Sequence, residues 1–333
     1  MISTIKVLES ASDNPYANIA LEKFLAMHAE EGECILFLWQ NAKTVVIGKN
    51  QNALEECRLG RLKHDGGFLA RRLSGGGAVF HDQGNLNFSF LVRKPDYNVQ
   101  RQTKVILAAL LKLGIPAKVS GRNDLTIDGR KFSGHAYYEK SGFCCHHGTL
   151  MMDMDEEDLE KYLSVSPEKL HSNGVHSIRR RTVSLRKYCP GICREILVEK
   201  LTAAFSEEYG LECLPFDQER LDAEEIQREA SFLTSDKWLF GRRMHLDAQF
   251  EKRFSWGSCR LQFSVNNGLV TDVICTTDAL DEDFPSELSR ILPGCPFDAA
   301  SLTGRLLALP DNGSVLRQTI QCSLAELIRS ELE

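Results

Sequence analysis

The chain has 333 residues, 43% of them hydrophobic and 26% charged, a balance that excludes a disordered or collagen-like polymer. That length exceeds what one small core organises, so two domains are expected. With 40 Lys and Arg against 46 Asp and Glu, the net charge is −6, which excludes a coat for nucleic acid and requires any anion site to be local.

Asn14-Pro15 predicts a helix start, Asn capping and Pro in the first turn, with Ile19, Leu21, Phe24 and Leu25 as the apolar face. Cys34 to Trp39 and Thr44 to Ile47 read as buried strands. A helix is expected over Asn52 to Lys63, ending before Gly66-Gly67, and a strand over Phe68 to Arg72. Leu86, Phe88, Phe90 and Val92 alternate, which predicts one face of a half-buried strand. Val99 to Leu113 is amphipathic and stops at Gly114, as a helix does. Asp128-Gly129 between two apolar runs is a two-residue hairpin signal. Helices are expected near Asp155–Leu163 and Gly191–Phe205.

The pattern-poor stretch Gly241 to Asp247 suggests a boundary, giving domains at 1–243 and 248–333. Beyond it, Cys259–Val265, the turn Asn266-Asn267-Gly268 and Leu269–Thr276 form a hairpin. Helical patterns follow at Pro285–Leu292, Ala299–Leu309 and Ser323–Leu332. Strands and helices mix without regular alternation, so both domains are expected to be α+β. No apolar run nears the roughly 18 residues of a membrane helix, and Met1 to Tyr16 lacks a signal-peptide core. A cytoplasmic setting away from membranes is expected. The 11 cysteines should then stay reduced, and none has zinc-site spacing.

Three segments carry chemistry. Arg71-Arg72-Leu73-Ser74-Gly75-Gly76-Gly77-Ala78-Val79-Phe80-His81-Asp82 places a glycine triplet after a strand. Such a loop brings backbone close to a ligand, can turn N–H groups inward as an anion nest, and here has two arginines to supply charge. A ligand loop is favoured over a plain surface turn. No GK[ST] closes it, and Phe80 stands where a third dinucleotide-fingerprint glycine would be, so it is neither a P-loop nor a Rossmann loop. In the second segment, Gly121 to Ala136, Lys131 follows the tight turn and Asp124 is a hard-oxygen candidate for Mg²⁺. A solvated strand charge and a turn residue are the alternatives for these two. In the third, Cys144-Cys145-His146-His147, neighbours on a strand point to opposite faces, so at most one histidine faces a given pocket. A cysteine there acts as nucleophile only with a depressed thiol pKa; otherwise it is inert wall.

Taken in order and spacing, RRLSGGGAVFHDQGNLNFSF, GRNDLTIDGRKFSGHA and HHGTLM resemble the lipoate–protein ligase A family, as does TVVIGKNQN upstream. Phe254-Ser255-Trp256-Gly257 and Val273–Asp278 resemble that family's accessory domain. The resemblance implies a large mixed-sheet catalytic domain of the biotin/lipoate ligase type and a small α+β accessory domain. It implies a two-step reaction: lipoate and ATP, with Mg²⁺, give lipoyl-adenylate, and the lipoyl group passes to a lysine of an acceptor. Acceptors would be lipoyl domains of 2-oxoacid dehydrogenase E2 subunits or the glycine-cleavage H protein, with no nucleic acid and no membrane involved. Arg72, Gly75, Gly76, Gly77, Ala78, Val79, Phe80 and Lys131 would hold the nucleotide. Lys131 would also be the catalytic group at the lipoyl carbonyl, and Asp124 the metal ligand. Trp39, Leu21, Gly76, His81, Ala136 and His147 would line the lipoyl tunnel. His135 stands where the family carries Asn or Ser.

An ATP-independent octanoyl- or lipoyl-transferase on the same fold is the first rival. Its cysteine nucleophile would be expected near Gly121–Asp124, where this chain has none. A non-catalytic lipoyl- or nucleotide-binding protein is the second; intact Arg72, Lys131 and Asp124 speak against it. A biotin ligase is disfavoured because its GRGRxG-type loop is absent. Arg179-Arg180-Arg181 with Arg186-Lys187 is a local basic cluster, read equally as a solvated loop or as a contact for pyrophosphate or an acidic acceptor.

Overall fold

The computed structural model describes residues 1–121, 123–164, 182–241 and 244–332. They form two compact units. The first comprises Met1–Val46, Leu54–Arg71 and Val79–Leu239; the second comprises Ile47–Ala53, Arg72–Ala78 and Phe240–Glu333. Two short excursions of the N-terminal half, one of them the glycine triplet, therefore belong to the C-terminal unit.

In the first unit the strands are β1 (Thr4–Glu9), β2 (Glu33–Trp39), β3 (Thr44–Ile47), β4 (Phe68–Arg71), β5 (Val79–His81), β6 (Asn85–Arg93), β7 (Lys118–Ser120), β8 (Asp124–Ile127), β9 (Arg130–Lys140), β10 (Phe143–Met151) and β11 (Cys213–Pro215). The helices are α1 (Pro15–Met27), α2 (Ala53–Glu56), α3 (Leu59–His64), α4 (Val99–Lys112), α5 (Glu156–Tyr162), α6 (Arg194–Tyr209), α7 (Ala223–Leu233) and α8 (Asp236–Phe240). Eight strands form one sheet in the order β11-β1-β2-β6-β10-β9-β8-β7, and β4-β3-β5 form a second. In the large sheet β1 runs parallel to β11 and β2, and the remaining pairs are antiparallel.

Side-chain alternation gives the large sheet two unlike faces. One carries Leu36 and Leu38 of β2, Leu86, Phe88, Phe90 and Val92 of β6, and Leu150 of β10. These pack with Val105, Ile106 and Leu110 of α4 and Leu197, Leu201 and Phe205 of α6. Each such side chain contributes about 1.5–3 kcal/mol on burial. The other face lies under α1, which packs against β2, β6 and β10. Asn14 caps α1 through bonds from Tyr16 N and Ala17 N, with Pro15 in its first turn, as the sequence predicts. The half-buried reading of β6 is corrected: every residue but Arg93 is buried, because both faces are covered.

Other boundaries move for local reasons. The helix expected over Asn52–Lys63 is two, α2 and α3. The break falls at Cys57-Arg58, where Cys57 bridges Leu163 and Arg58 N donates to Tyr162 O at 2.8 Å. Helix α6 starts three residues later than expected and ends at Gly210, whose φ of 65° stops it. Neither β1 nor β11 was anticipated, nor were α7 and α8.

The second unit has a three-stranded antiparallel sheet, β12 (Ala248–Phe254), β13 (Gly257–Asn266) and β14 (Leu269–Thr277), with α9 (Phe284–Ile291), α10 (Ala299–Leu307) and α11 (Val315–Leu332). Helix α11 begins at Val315, eight residues before the expected start at Ser323. Phe263, Val273, Leu288, Leu302 and Leu324 share its core. Arg317 of α11 is buried, and its guanidinium meets Asp281 with two bonds and Glu287 with a third. Both units are α+β. Among the described residues no helix is long and apolar enough to cross a membrane.

Candidate active site

The face beneath α1 is polar and buried. Trp39 Nε1 donates to Ser89 Oγ at 3.1 Å, and Ser89 Oγ donates to Glu22 Oε1 at 2.5 Å. His147 Nδ1 donates to the same carboxylate oxygen at 2.8 Å. Trp39 and His147, both expected at an acyl tunnel, are thus tied together through Ser89 and Glu22. Sequence reasoning missed Glu22. Its signal was an acid inside the buried stripe of α1, between Ile19 and Phe24. Ala136 lies opposite His147 in the ladder. Leu21 is half-buried on α1. His81 receives a bond from Asn41 at 3.2 Å and meets Trp39 edge-on at 6.1 Å.

Of the paired histidines, His147 faces this site and His146 faces the core. His146 Nε2 meets His135 Nδ1 at 2.9 Å, and its Nδ1 meets Gln102 of α4 at 3.0 Å. His135 Nε2 bonds Ser133 at 3.1 Å. Burial holds His146 well below the ordinary histidine range and His135 at about 3, so both are neutral hydrogen-bonding groups under the sheet. Cys144 lies on that core face. Cys145 lies on the site face, fully buried, and burial with the nearby Glu22 pushes its thiol well up. Cys145 is therefore not an activated nucleophile, and Cys144 is enclosed in the core. Glu22, Cys145 and His147 bring ligand atoms within 4.8 Å of one another, but Glu22 Oε1 already serves Ser89 and His147.

Lys131 reaches the site face through an irregularity. Leu125 pairs with Ser133 but Thr126 pairs with Lys131, so Phe132 is an extra residue in β9. A bulge of this kind re-aims the next side chain. Strict alternation would send Lys131 to the core with Ser133. Instead Phe132 enters the core and the Lys131 ammonium meets Asp124 Oδ1 at 2.7 Å. Gly134 makes room for it: a Cβ there would lie 2.8 Å from Nζ. Gly134 N donates to Thr149 Oγ1 at 3.2 Å. Thr149 pairs with Asn87, and Asn87 with Trp39. One row therefore crosses the sheet from Asp124 through Gly134, Thr149 and Asn87 to Trp39.

The glycine loop lies in the second unit. A Cβ on Gly75 would meet Ala279 O at 2.4 Å, and Gly76 has φ of 89°, whereas a Cβ on Gly77 would meet nothing. Two of the three glycines are thus demanded by packing and backbone. Arg72 is buried; its Nε donates to Ser74 Oγ at 3.0 Å and its Nη2 to the Gly75 and Gly77 carbonyls at 2.6 and 2.9 Å. Gly76 N donates to Ala279 O at 3.0 Å. Gly76 N–H therefore faces a carbonyl rather than an open anion site. Arg71 also departs from expectation. Its guanidinium donates to the Trp238 and Leu239 carbonyls of α8. After Ala78, Val79 and Phe80 enter β5, where Phe80 is buried and stacks on Tyr162 at 5.4 Å. The cluster Arg179-Arg180-Arg181 lies outside the described residues.

The chain matches the lipoyl protein ligase A/B catalytic domain over residues 14–210 and the bacterial lipoate protein ligase C-terminus over residues 244–327. It is similar to P. falciparum LipL1, crystallised in complex with lipoate, at 29% identity and a TM-score of 0.85, covering 97% of this chain and 99% of that one. A bipartite lipoate protein ligase from Thermoplasma acidophilum, studied with its E2 lipoyl domain, is 26% identical, with a TM-score of 0.62 over 74% of this chain and 99% of that one. A lipoate-protein ligase A bound with ATP shares the fold at 23% identity and a TM-score of 0.61, over 72% of this chain and 99% of that one. The first profile spans more than half of the sequence, and the chain belongs to the lipoate–protein ligase family, with that family's catalytic and C-terminal domains.

Proposed function

We propose that the protein is an ATP-dependent lipoate–protein ligase that forms lipoyl-adenylate and transfers the lipoyl group to a lysine of an acceptor domain. The observation that carries this reading is the half-buried Lys131–Asp124 pair standing at one end of a cross-sheet row that ends at the buried Trp39. A long acid with a charged head matches such a row in reach, since its carboxylate meets the ammonium and its far end meets Trp39.

In the first step a carboxylate oxygen of lipoate attacks the α-phosphorus of ATP, and the bond to pyrophosphate breaks. Two anions must meet, and the Lys131 ammonium offsets their repulsion and the charge that develops on the oxygens. Arg72 and the loop Gly75, Gly76, Gly77, Ala78, Val79, Phe80 are assigned to the nucleotide. For Arg72 to hold phosphate, its Nη2 would exchange the Gly75 and Gly77 carbonyls for phosphate oxygens. Asp124 offers one hard oxygen shared with Lys131, which fits the small protein share Mg²⁺ takes when phosphates complete its shell. Mg²⁺ bound there would offset phosphate charge. Trp39, Leu21, His81, Ala136, His147 and Gly76 are assigned to the lipoyl group. In the second step the acceptor amine attacks the acyl carbon, loses its proton, and AMP departs with the bonding pair.

The acceptor would be a lipoyl domain of an E2 subunit or the glycine-cleavage H protein. The T. acidophilum relative studied with an E2 lipoyl domain supports the first. The division into catalytic residues 1–243 and accessory residues 248–333, and a cytoplasmic setting in which the free cysteines stay reduced, complete the proposal. The test is mass spectrometry of an apo lipoyl domain incubated with the protein, lipoate, ATP and Mg²⁺. One added lipoyl group that requires ATP supports the reading. Transfer from a lipoyl or octanoyl donor without ATP would replace it with the transferase.

A further inference from the structure

Strand β6 sets Asn85, Asn87 and Ser89 in succession on the site face, where a slot for an acyl chain calls for apolar wall. Ser89 is satisfied by Trp39 and Glu22. The two asparagines are not. Asn85 Nδ2 donates to Asn87 Oδ1 at 2.9 Å, which turns the Nδ2 of Asn87 away from Asn85. That Nδ2 and the Oδ1 of Asn85 have no hydrogen-bond partner among the described residues, although Asn87 is 2% and Asn85 1% exposed. A buried amide left unsatisfied is costly and calls for a ligand or a role.

Its position says which part of a ligand it meets. Asn87 stands between Trp39 on β2 and Thr149 on β10, and Thr149 is bonded to Gly134, over which the Lys131 ammonium lies. From β9 to β6 is two strand spacings, about 9.6 Å. An extended eight-carbon acyl chain, with C–C bonds of about 1.5 Å, spans about 9 Å. An acid whose carboxylate meets Lys131 and whose chain crosses β10 therefore ends at Asn87 and Trp39.

We propose, resting on the ligase reading above, that Asn87 is a specificity-determining residue that selects a sulfur-bearing acyl end over an all-carbon one. Its Nδ2 donates to a sulfur of the dithiolane ring of lipoate, a weak acceptor. Octanoate has the same reach but ends in hydrocarbon, so its binding leaves the amide unsatisfied and sealed from water. A site built to donate a hydrogen bond discriminates against the analogue that lacks the acceptor. Asn85 acts through Asn87, as the positioning residue that fixes the amide.

The experiment compares kcat/KM for lipoate and for octanoate in acid-dependent ATP–pyrophosphate exchange, in the full chain and in its Asn87→Leu and Asn87→Val variants. The ratio of the two acids is read within each preparation, so the folded fraction cancels; the smaller Val guards against overpacking by Leu. The full chain should prefer lipoate, and both variants should lower that preference by roughly three- to tenfold, the weight of one modest hydrogen bond. A ratio unchanged in a variant that still turns over both acids would overturn the role of Asn87 and leave the ligase reading standing. Exchange with neither acid in the full chain would overturn both.

Discussion

The two faces of the eight-stranded sheet come from the same strands, and both are buried, yet they are built for different ends. On β6 the residues Leu86, Phe88, Phe90 and Val92 face α4 and α6, while Asn87 and Ser89 alternate with them beneath α1. On β10 the fully buried Cys144 and Leu150 alternate with His147 and Thr149. The first face supplies cohesion. The second is polar although it is covered from water, as the proposed site requires. Polar alternation in a strand thus marks either solvent or a covered site, and what lies on top decides which.

The comparison predicts that changes on the two faces separate stability from activity. On the core face Phe205→Ala, which removes a fully buried ring packed on Phe90, should lower the unfolding free energy by about 3–5 kcal/mol. Urea unfolding checks this, and the KM for lipoate measured on folded enzyme should stay near that of the full chain. On the site face Lys131→Ala should leave the unfolding midpoint in place and slow adenylate formation by about 100- to 1,000-fold, or 2.7–4 kcal/mol. Single-turnover accumulation of the adenylate reads it directly.

Gly134→Ala sharpens the same contrast. The added Cβ would meet the ammonium at 2.8 Å, so Nζ must move, and a displacement of that size costs on the order of 100-fold in rate. A fully active Gly134→Ala enzyme would mean that the ammonium does not work over Gly134. Near neutral pH the smallest effect lies under the sheet. His135 and His146 have depressed pKa values in the folded protein, against about 6.5 in the unfolded chain. The unfolded chain binds protons first as pH falls, so the stability they lend is present above about pH 6.5 and is lost on acidification, for His135 toward about 3. Each group should cost up to about 1.4 kcal/mol per pH unit in that window. His135→Asn should flatten the slope of stability against pH between neutral and mildly acidic buffer; an unchanged slope would remove His135 from the account.

Much of this was legible in the sequence because the signals are local. The glycine triplet, the Asp128-Gly129 turn, the cap at Asn14 and the opposed faces of His146 and His147 follow from neighbouring residues. What escaped is non-local. The pairing of β1 with β11 joins the two ends of the first unit, and neither strand carries clean alternation. The bulge at Phe132 depends on how β8 pairs with β9, so alternation alone would have put Lys131 on the wrong face. Glu22 was passed over because its partners, Ser89 and His147, come from two distant strands. Arg71 read as a phosphate ligand because its partners, the Trp238 and Leu239 carbonyls, lie far along the chain.

Lipoate-dependent exchange of labelled pyrophosphate into ATP tests the central claim most directly, because only reversible formation of an acyl-adenylate produces it. The account predicts exchange that requires both lipoate and Mg²⁺, falls steeply in Lys131→Ala, and survives Cys144→Ala/Cys145→Ala. No exchange in the full chain, together with ATP-independent acyl transfer that disappears in the double cysteine variant, would contradict it.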